Sequence, residues 1–471
     1  MKRIDINTKH IRELTSQLSV ETNLVTPSSS EYEDAIKRWS ATAVKRAGAV
    51  SYPKTASEVS KLVTFASRNN LKLAVKGGGH STGGTSSTNG GLVIDLSKMR
   101  KVTVDYDKKI IIAQGGALWE DVDKAAAEYG LATVGGTVNH TGIGGLTLGG
   151  GFGWLSGMHG AVIDNLVSAT VVIANGDVLR ATETENRDLF WAIRGAGHNF
   201  GVAVEFQYKA YDQPDMVYAG LLFFTPDKLG SLVDVLNENN TPRAAVMCVF
   251  GVPPRFSSAI IVLICFYNGT EQIATEHFTP VLDLGPIANT LGPIPYAQMN
   301  SLLNPMTEPG GRKTGKGAAF SPPIRKEFVE SVFQVFSKKL SEEPDLQKSI
   351  LAIEFYDMTK TRSVAVESTA FPTRGKLHMG IINLSWSEPE NDEKFRSWAR
   401  FLQIMCREEI LRVRNQTSQA TVFEYANYLE PGDVTSGTLF GANSNKLAVL
   451  KARYDPDNLF YKTNPITPAT T

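Results

Sequence analysis

Three glycine-rich stretches carry the residues best placed for chemistry. The first, Lys76-Gly77-Gly78-Gly79-His80-Ser81, follows the apolar run Leu73-Ala74-Val75. Glycines after a strand let backbone amides close on an anion and take positive φ. Alone, this cluster fits a tight turn equally well, and a lone loop histidine is by default solvated. The second stretch is denser, with eleven glycines between Gly135 and Gly160, including Gly142-Ile143-Gly144-Gly145 and Gly149-Gly150-Gly151-Phe152-Gly153. Each glycine costs an element roughly 0.5–1 kcal/mol, so this density predicts neither helix nor strand. The interleaved Ile143, Leu146, Leu148, Phe152 and Trp154 are anchors that a flexible linker lacks. The economical reading is a backbone-lined trough along an extended ligand. The third stretch, Gly195-Ala196-Gly197-His198-Asn199-Phe200-Gly201, precedes an expected strand from Val202 to Tyr208. No stretch is a G-x-G-x-x-G that opens a helix with an acid further on, and none is GxxxxGK[ST]. A Rossmann dinucleotide site and a P-loop ATPase are therefore disfavoured.

The elements that must position these stretches fall into two textures. Residues 30 to 210 alternate helix and strand signals. Thr55-Ala56-Ser57-Glu58 reads as a capping box before Val59, Leu62, Val63 and Ala66 on one helical face. Leu92 to Ile94 and Ile110 to Ala113 read as strands. Leu118, Val122 and Ala125 mark a helix that Gly130 closes. Asn175-Gly176 is a hairpin turn between Val167–Ala174 and Asp177–Arg180, and Asn186 is the expected cap of a short helix. From about 215, strands are expected at 217–224, 244–250, 259–266, 351–356 and 378–386. Pro/Gly-rich loops occupy 285–323, and helices carry Phe328, Val332, Phe336 and Leu340, then Phe395, Trp398, Leu402 and Met405. A last helix surrounds Leu447 and Leu450.

At 471 residues, two domains are the prior. Forty-eight basic residues balance forty-eight acidic ones, which argues against a nucleic-acid binder. Cys248, Cys265 and Cys406 are too scattered for a disulfide framework or a metal site. No apolar run suits a membrane span, and the polar start has no signal-peptide character. A cytoplasmic or other intracellular protein is expected, with the sequon at Asn268 a chance match. No metal, nucleic acid or membrane partner is expected.

KGGGHS, GGLVIDLSKM, GIGGLTLGGGFGW, RGAGHNFGV and the ending YDPDNLFYKTNPI together resemble the berberine-bridge-enzyme-like branch of the vanillyl-alcohol-oxidase, or PCMH-type, flavoproteins. The resemblance spans about residues 40 to 210 and 421 to 466, and is weak between them. It implies an α+β chain. A PCMH-type FAD-binding domain of two α/β subdomains is expected over 1–212 and 421–471. The inserted substrate domain, an antiparallel sheet flanked by helices, is expected over 213–420.

The resemblance also assigns residues. His80 is expected to bond the flavin 8α-methyl carbon. Many members add a cysteine tether four residues before the G-x-G-G run; Val138 stands there, so a single link at His80 is expected, and an oligosaccharide oxidase is disfavoured. Thr141, just before Gly142, is at the position that gates oxygen, and its small side chain implies O2 as acceptor. The pyrophosphate is expected on amides of Gly77, Gly78, Gly79, His80 and Ser81, helped by Gly144, Gly145 and Gly149. Lys76 replaces an arginine common before the glycines. Asn199, Gly201 and Val202 are expected at the pyrimidine edge or adenosine side, and Asn464 near the ring.

For catalysis the family pattern is incomplete. Members often place an acid or amide five residues before the tryptophan corresponding to Trp386; here that residue is Ile381, and a family tyrosine after GGGHS is Thr82. Tyr425 is the first candidate, as hydrogen-bond partner or phenolate, and Tyr428 the second, in a segment resembling YxNYxD that starts beside Glu424. Both also suit core aromatics. Glu354, Tyr356 and Asn383 alternate on expected strands, and His140 beside the trough is a further acid or base; His159 and His198 have weaker claims. The implied reaction is two-electron oxidation of a small organic molecule at a C–H next to O or N, with O2 giving H2O2, in specialised metabolism. An oxidative cyclase and an inert flavin-binding protein are the alternatives. Oligomeric state is not implied.

Overall fold

A computed structural model describes residues 3–19, 22–414 and 425–470. Its architecture is α+β, with three main sheets. The first is mixed: Asn23–Val25 pairs antiparallel with Ala49–Tyr52, which runs parallel to Leu92–Asp95, itself parallel to Leu73–Lys76. The helix Ala56–Arg68 covers it with Val59, Leu62, Val63 and Ala66, the apolar stripe expected of its 3.6-residue period. Thr55 accepts from the Glu58 amide, while the Glu58 carboxylate accepts from the Lys54 amide. The second sheet is antiparallel, in the order 102–105, 110–114, 202–209, 166–172, 178–182. Its hairpin turns at Gly176, with φ +94°, as the Asn-Gly signal requires.

The third sheet is antiparallel and has eight strands. Its central strand Ala244–Gly251 is buried on both faces. Ala245, Met247 and Val249 join the core under the glycine stretches, whereas Val246, Cys248 and Phe250 join a second core beneath helices Leu229–Glu238, Lys326–Glu342 and Asp392–Val413. This period-two division repeats along Ile350–Tyr356 and His378–Trp386. The sheet therefore has one helix-covered face and one face turned to the loops of the first two sheets.

Three expectations need correction. Strand Arg312–Phe320 lies inside the stretch read as loops and pairs over nine residues with His378–Trp386. Gly315 and Gly317 weaken its strand signal, and Gly317 is tightly packed: a Cβ there would stand 3.2 Å from the Tyr428 Cβ. The glycine-rich stretch holds a short helix, Ile143–Leu148, because buried Ile143 and Leu148 anchor it. Asn186 precedes its helix but makes no capping bond; at φ +47° its amide donates to the Arg180 carbonyl instead. Glu424 and the junction expected at 420–421 lie outside the described residues.

Candidate active site

Between the loops and the bare sheet face lies a cavity of about 390 Å³, a size typical of organic-ligand sites. Its loop wall is backbone. Gly78 and Gly142 touch so closely that a Cβ on Gly142 would fall 2.3 Å from the Gly78 nitrogen. A Cβ on Gly145, by contrast, would meet nothing within 4 Å. The two glycine clusters thus form one strip, open on the cavity side. The buried Ser86 hydroxyl lines the cavity without a hydrogen-bond partner among the described residues. A bare strip of amides with an unpartnered hydroxyl suits a long, polar, multidentate ligand such as FAD, and these residues fit it.

The expected cofactor residues divide. Gly77, Gly78, Gly79, His80, Ser81, Val138, Thr141, Gly142, Gly144, Gly145, Gly201 and Val202 line the cavity. Lys76 does not: its ammonium pairs with the buried Asp95 at 2.8 Å, so its charge is already taken. The cation that does line the cavity is Lys462, which burial and the neighbouring Lys45 and Lys72 push down to about 8. An anion there would relieve that strain on its charge. Gly149 lies behind the wall and makes room for Asn427, whose Oδ1 would be 2.0 Å from any Cβ. Asn199 clamps the chain end, donating to the Thr463 and Asn464 carbonyls and accepting from the Ile466 amide at 3.0 Å. Asn464, at φ +45°, donates to the Ala426 carbonyl. Asn199 and Asn464 therefore hold the cavity-lining segment Leu459–Thr463 rather than line the cavity themselves.

His80 is held by two rings. The Trp39 indole stacks on it, ring centres 4.8 Å apart and planes 12° apart; the His140 ring centre is also 4.8 Å away, and that ring meets it through a nitrogen. The His80 Nε2 and His140 Nδ1 are hydrogen-bonded at 2.7 Å. Burial, with His140 and Lys313 nearby, pushes the His80 imidazole down to about 3, so it is neutral at pH 7. No spacing rule links Trp39 to the glycine motifs, so its place beside His80 carries no sequence signal. His140 faces His80 rather than the sheet.

The sheet wall is side chain. Met247 stands opposite Glu354; the next rungs read Val249–Ala352–Ile381–Gly317 and Ile350–Asn383–Gly315. Most of these positions are apolar, with Glu354 and Asn383 as the polar exceptions. Tyr356 shares the Glu354 face but lies beyond the lining. Tyr428 donates to Glu354 at 2.6 Å, and Asn383 keeps a buried amide oxygen with no partner among the described residues. Burial raises Glu354 to about 7, partly offset by the Tyr428 bond.

That geometry reorders the tyrosines. The Tyr425 oxygen accepts from the Gly151 amide at 3.0 Å and from Asn427 at 2.8 Å, fixing the glycine wall. Burial raises its hydroxyl above the ordinary value, which opposes the phenolate role. Tyr428 is raised too, by burial and by Glu354. Thr82 lines the cavity and donates to Glu430 at 2.9 Å. His198 reaches the Gly145 carbonyl, and His159 stacks on Tyr211 outside the lining. No described helix is long and apolar enough to cross a membrane.

Two family models match the chain: an FAD binding domain over residues 47–182, and one described as berberine and berberine like over residues 424–467. The chain is 36% identical to the FAD-linked oxidoreductase pgmH of Aspergillus terreus, across 94% of this chain and 92% of that protein. It is 28% identical to the (R)-6-hydroxynicotine oxidase of Paenarthrobacter nicotinovorans, across 97% and 98%. Among solved structures, 6-hydroxy-D-nicotine oxidase from Arthrobacter nicotinovorans superposes with a TM-score of 0.83 at 26% identity, covering 96% of this chain and 99% of that one. Physcomitrella patens BBE-like 1 gives 0.84 at 20% identity over 98% and 100%, a likeness of fold.

Proposed function

The chain belongs to the berberine-bridge-enzyme-like FAD-linked oxidoreductases, and from that premise we propose that it is an oxidase of a small organic molecule, with FAD linked covalently to His80 alone and O2 as electron acceptor. Residues 1–212 with 421–471 hold the cofactor in this reading, and 213–420 supply the substrate wall. The observation that carries it is one cavity bounded by the glycine strip, by His80 and by the Glu354–Tyr428 pair.

FAD, when bound, supplies a two-electron acceptor for hydride. The protein's part is to hold the substrate and move a proton. Glu354, poised near neutrality, accepts the proton from a substrate hydroxyl or amine while the adjacent carbon gives up hydride. Tyr428 fixes that carboxylate by donating to it, and Asn383 offers its free oxygen to a substrate donor. Met247, Val249, Ile350, Ala352 and Ile381 exclude water and favour a flat or aromatic, largely apolar substrate. Glu354 thus fills the chemical place that Ile381 leaves vacant, which favours an active oxidase over an inert flavin carrier. Such a lining suits a specialised-metabolism substrate better than a sugar.

Acid precipitation is the test. The wild-type pellet should stay yellow, and His80→Ala should release its flavin into the supernatant; a white wild-type pellet refutes the tether. Thr141 lines the cavity, and Thr141→Leu should slow reoxidation by air. Equal rates in the two proteins would remove the oxygen-gate role.

A further inference from the structure

We propose that His140 prepares His80 for attachment of the flavin: it holds the His80 proton at Nε2, leaves Nδ1 as the attacking nitrogen, and takes the Nε2 proton as the link forms. The inference rests on the reading of His80 as the tether.

The hydrogen-bond chain fixes the tautomers. The Thr307 hydroxyl donates to the Leu303 carbonyl at 2.9 Å. A hydroxyl has one proton, so toward the His140 Nε2, 3.3 Å away, it can only accept. His140 therefore carries its proton on Nε2 and presents a bare Nδ1. The His80 Nε2, 2.7 Å from that atom, must donate. His80 is left neutral with an unprotonated Nδ1, the form of imidazole that is a nucleophile. Thr307 also positions the stacked indole, because its carbonyl accepts from the Trp39 indole at 2.7 Å.

The surrounding charges bias the proton the same way. Lys313 lies 5.0 Å from the Trp39 ring centre and disfavours positive charge on His80. Glu120 favours positive charge on His140, against the lowering effect of burial. A proton leaving His80 thus moves away from a cation and toward an anion.

The bond changes balance. The 8α C–H bond breaks and the Nδ1–C8α bond forms. The electron pair of the C–H bond is left on the flavin and passes to dioxygen. Together with the methyl proton and the His80 Nε2 proton, it yields hydrogen peroxide. His80 ends as a neutral, substituted imidazole whose Nε2 carries no proton, and His140 returns to its neutral form.

The test is a time course of acid-stable flavin after FAD is added to flavin-free protein from riboflavin-starved cells. Wild type, His140→Leu, His140→Asn and Thr307→Val are compared, with reversible FAD binding followed by fluorescence quenching. Attachment should be slowed about 100-fold or more in His140→Leu, the lower end of general-base effects. His140→Asn, whose side-chain oxygen can accept in place of Nδ1, should be faster than His140→Leu. Free imidazole should partly restore His140→Leu. Thr307→Val, which frees the His140 tautomer, should be slowed less. Wild-type rates in His140→Leu overturn the inference, as does slow attachment that neither Asn nor imidazole relieves. Should His140→Leu fail to bind FAD, Thr307→Val decides, and a wild-type rate there overturns the inference. A wild-type protein that never gains acid-stable flavin overturns the tether reading itself.

Discussion

On the loop wall of the cavity, function is built by removing side chains; on the sheet wall, by alternating them. Gly78 and Gly142 stand so close that neither tolerates a Cβ, and the ligand would meet amides. Across the cavity, Met247, Glu354, Ala352, Ile381 and Asn383 project from three neighbouring strands, and register decides which of them face inward. At the Gly78–Gly142 contact the loop wall excludes side chains; the sheet wall works through them.

The sharpest way to break the comparison is to put a side chain on the loop wall. Gly142→Val forces backbone apart at 2.3 Å, where no rotamer change gives relief. We expect a protein without bound flavin, colourless on purification. A yellow Gly142→Val protein would show that the strip is not the cofactor cradle.

On the sheet wall the expected effect is kinetic. Glu354→Gln preserves shape and removes the base, so flavin reduction under anaerobic conditions should fall about 10²- to 10⁴-fold, with FAD content unchanged. The sign of the pH effect follows from burial. Glu354 is raised to about 7, so it is protonated and inactive in acid, and the wild-type reduction rate should climb with pH through about 7. The variant should lose that limb. Stopped-flow reduction by a panel of phenols, benzylic alcohols and cyclic amines supplies the measurement; an unchanged limb in Glu354→Gln would move the base elsewhere.

The two walls were also unequally legible in the sequence. The glycine strip is local: KGGGHS and the 142–153 run carry their own signature, and the residues between Gly77 and Gly145 did come together. Lys76 ends the strand Leu73–Lys76, and a cation at a strand end reads alike whether it faces a ligand or Asp95 on the neighbouring strand. Asn199 and Asn464 misled because polar atoms that clamp a chain end look like polar atoms that bind a ligand. The sheet wall is non-local. Period two shows that Glu354 shares a face with Tyr356, but only the tertiary fold shows that Glu354 meets Tyr428 and that Tyr356 lies beyond the cavity. Strand Arg312–Phe320 is masked by its glycines, one of which, Gly317, packs tightly on Tyr428 from a distant segment. Trp39 is the extreme case, a residue whose partner His80 is fixed by tertiary packing alone.

The smallest effect tests how the two walls are joined. Tyr428 comes from the chain end that anchors on the glycine strip through Asn427, yet its hydroxyl serves the sheet, donating to Glu354 at 2.6 Å. A hydrogen bond to a carboxylate is worth roughly 1.5–3 kcal/mol, and it favours the charged form. In Tyr428→Phe, Glu354 loses that support, so its pKa rises further. The acid limb of flavin reduction should shift to higher pH, while the plateau above it falls only about tenfold, since the base itself is intact. Were Tyr428 instead the proton acceptor, Phe would abolish the plateau and leave no limb to shift. The direction of that shift therefore separates a tyrosine that positions the carboxylate from one that replaces it.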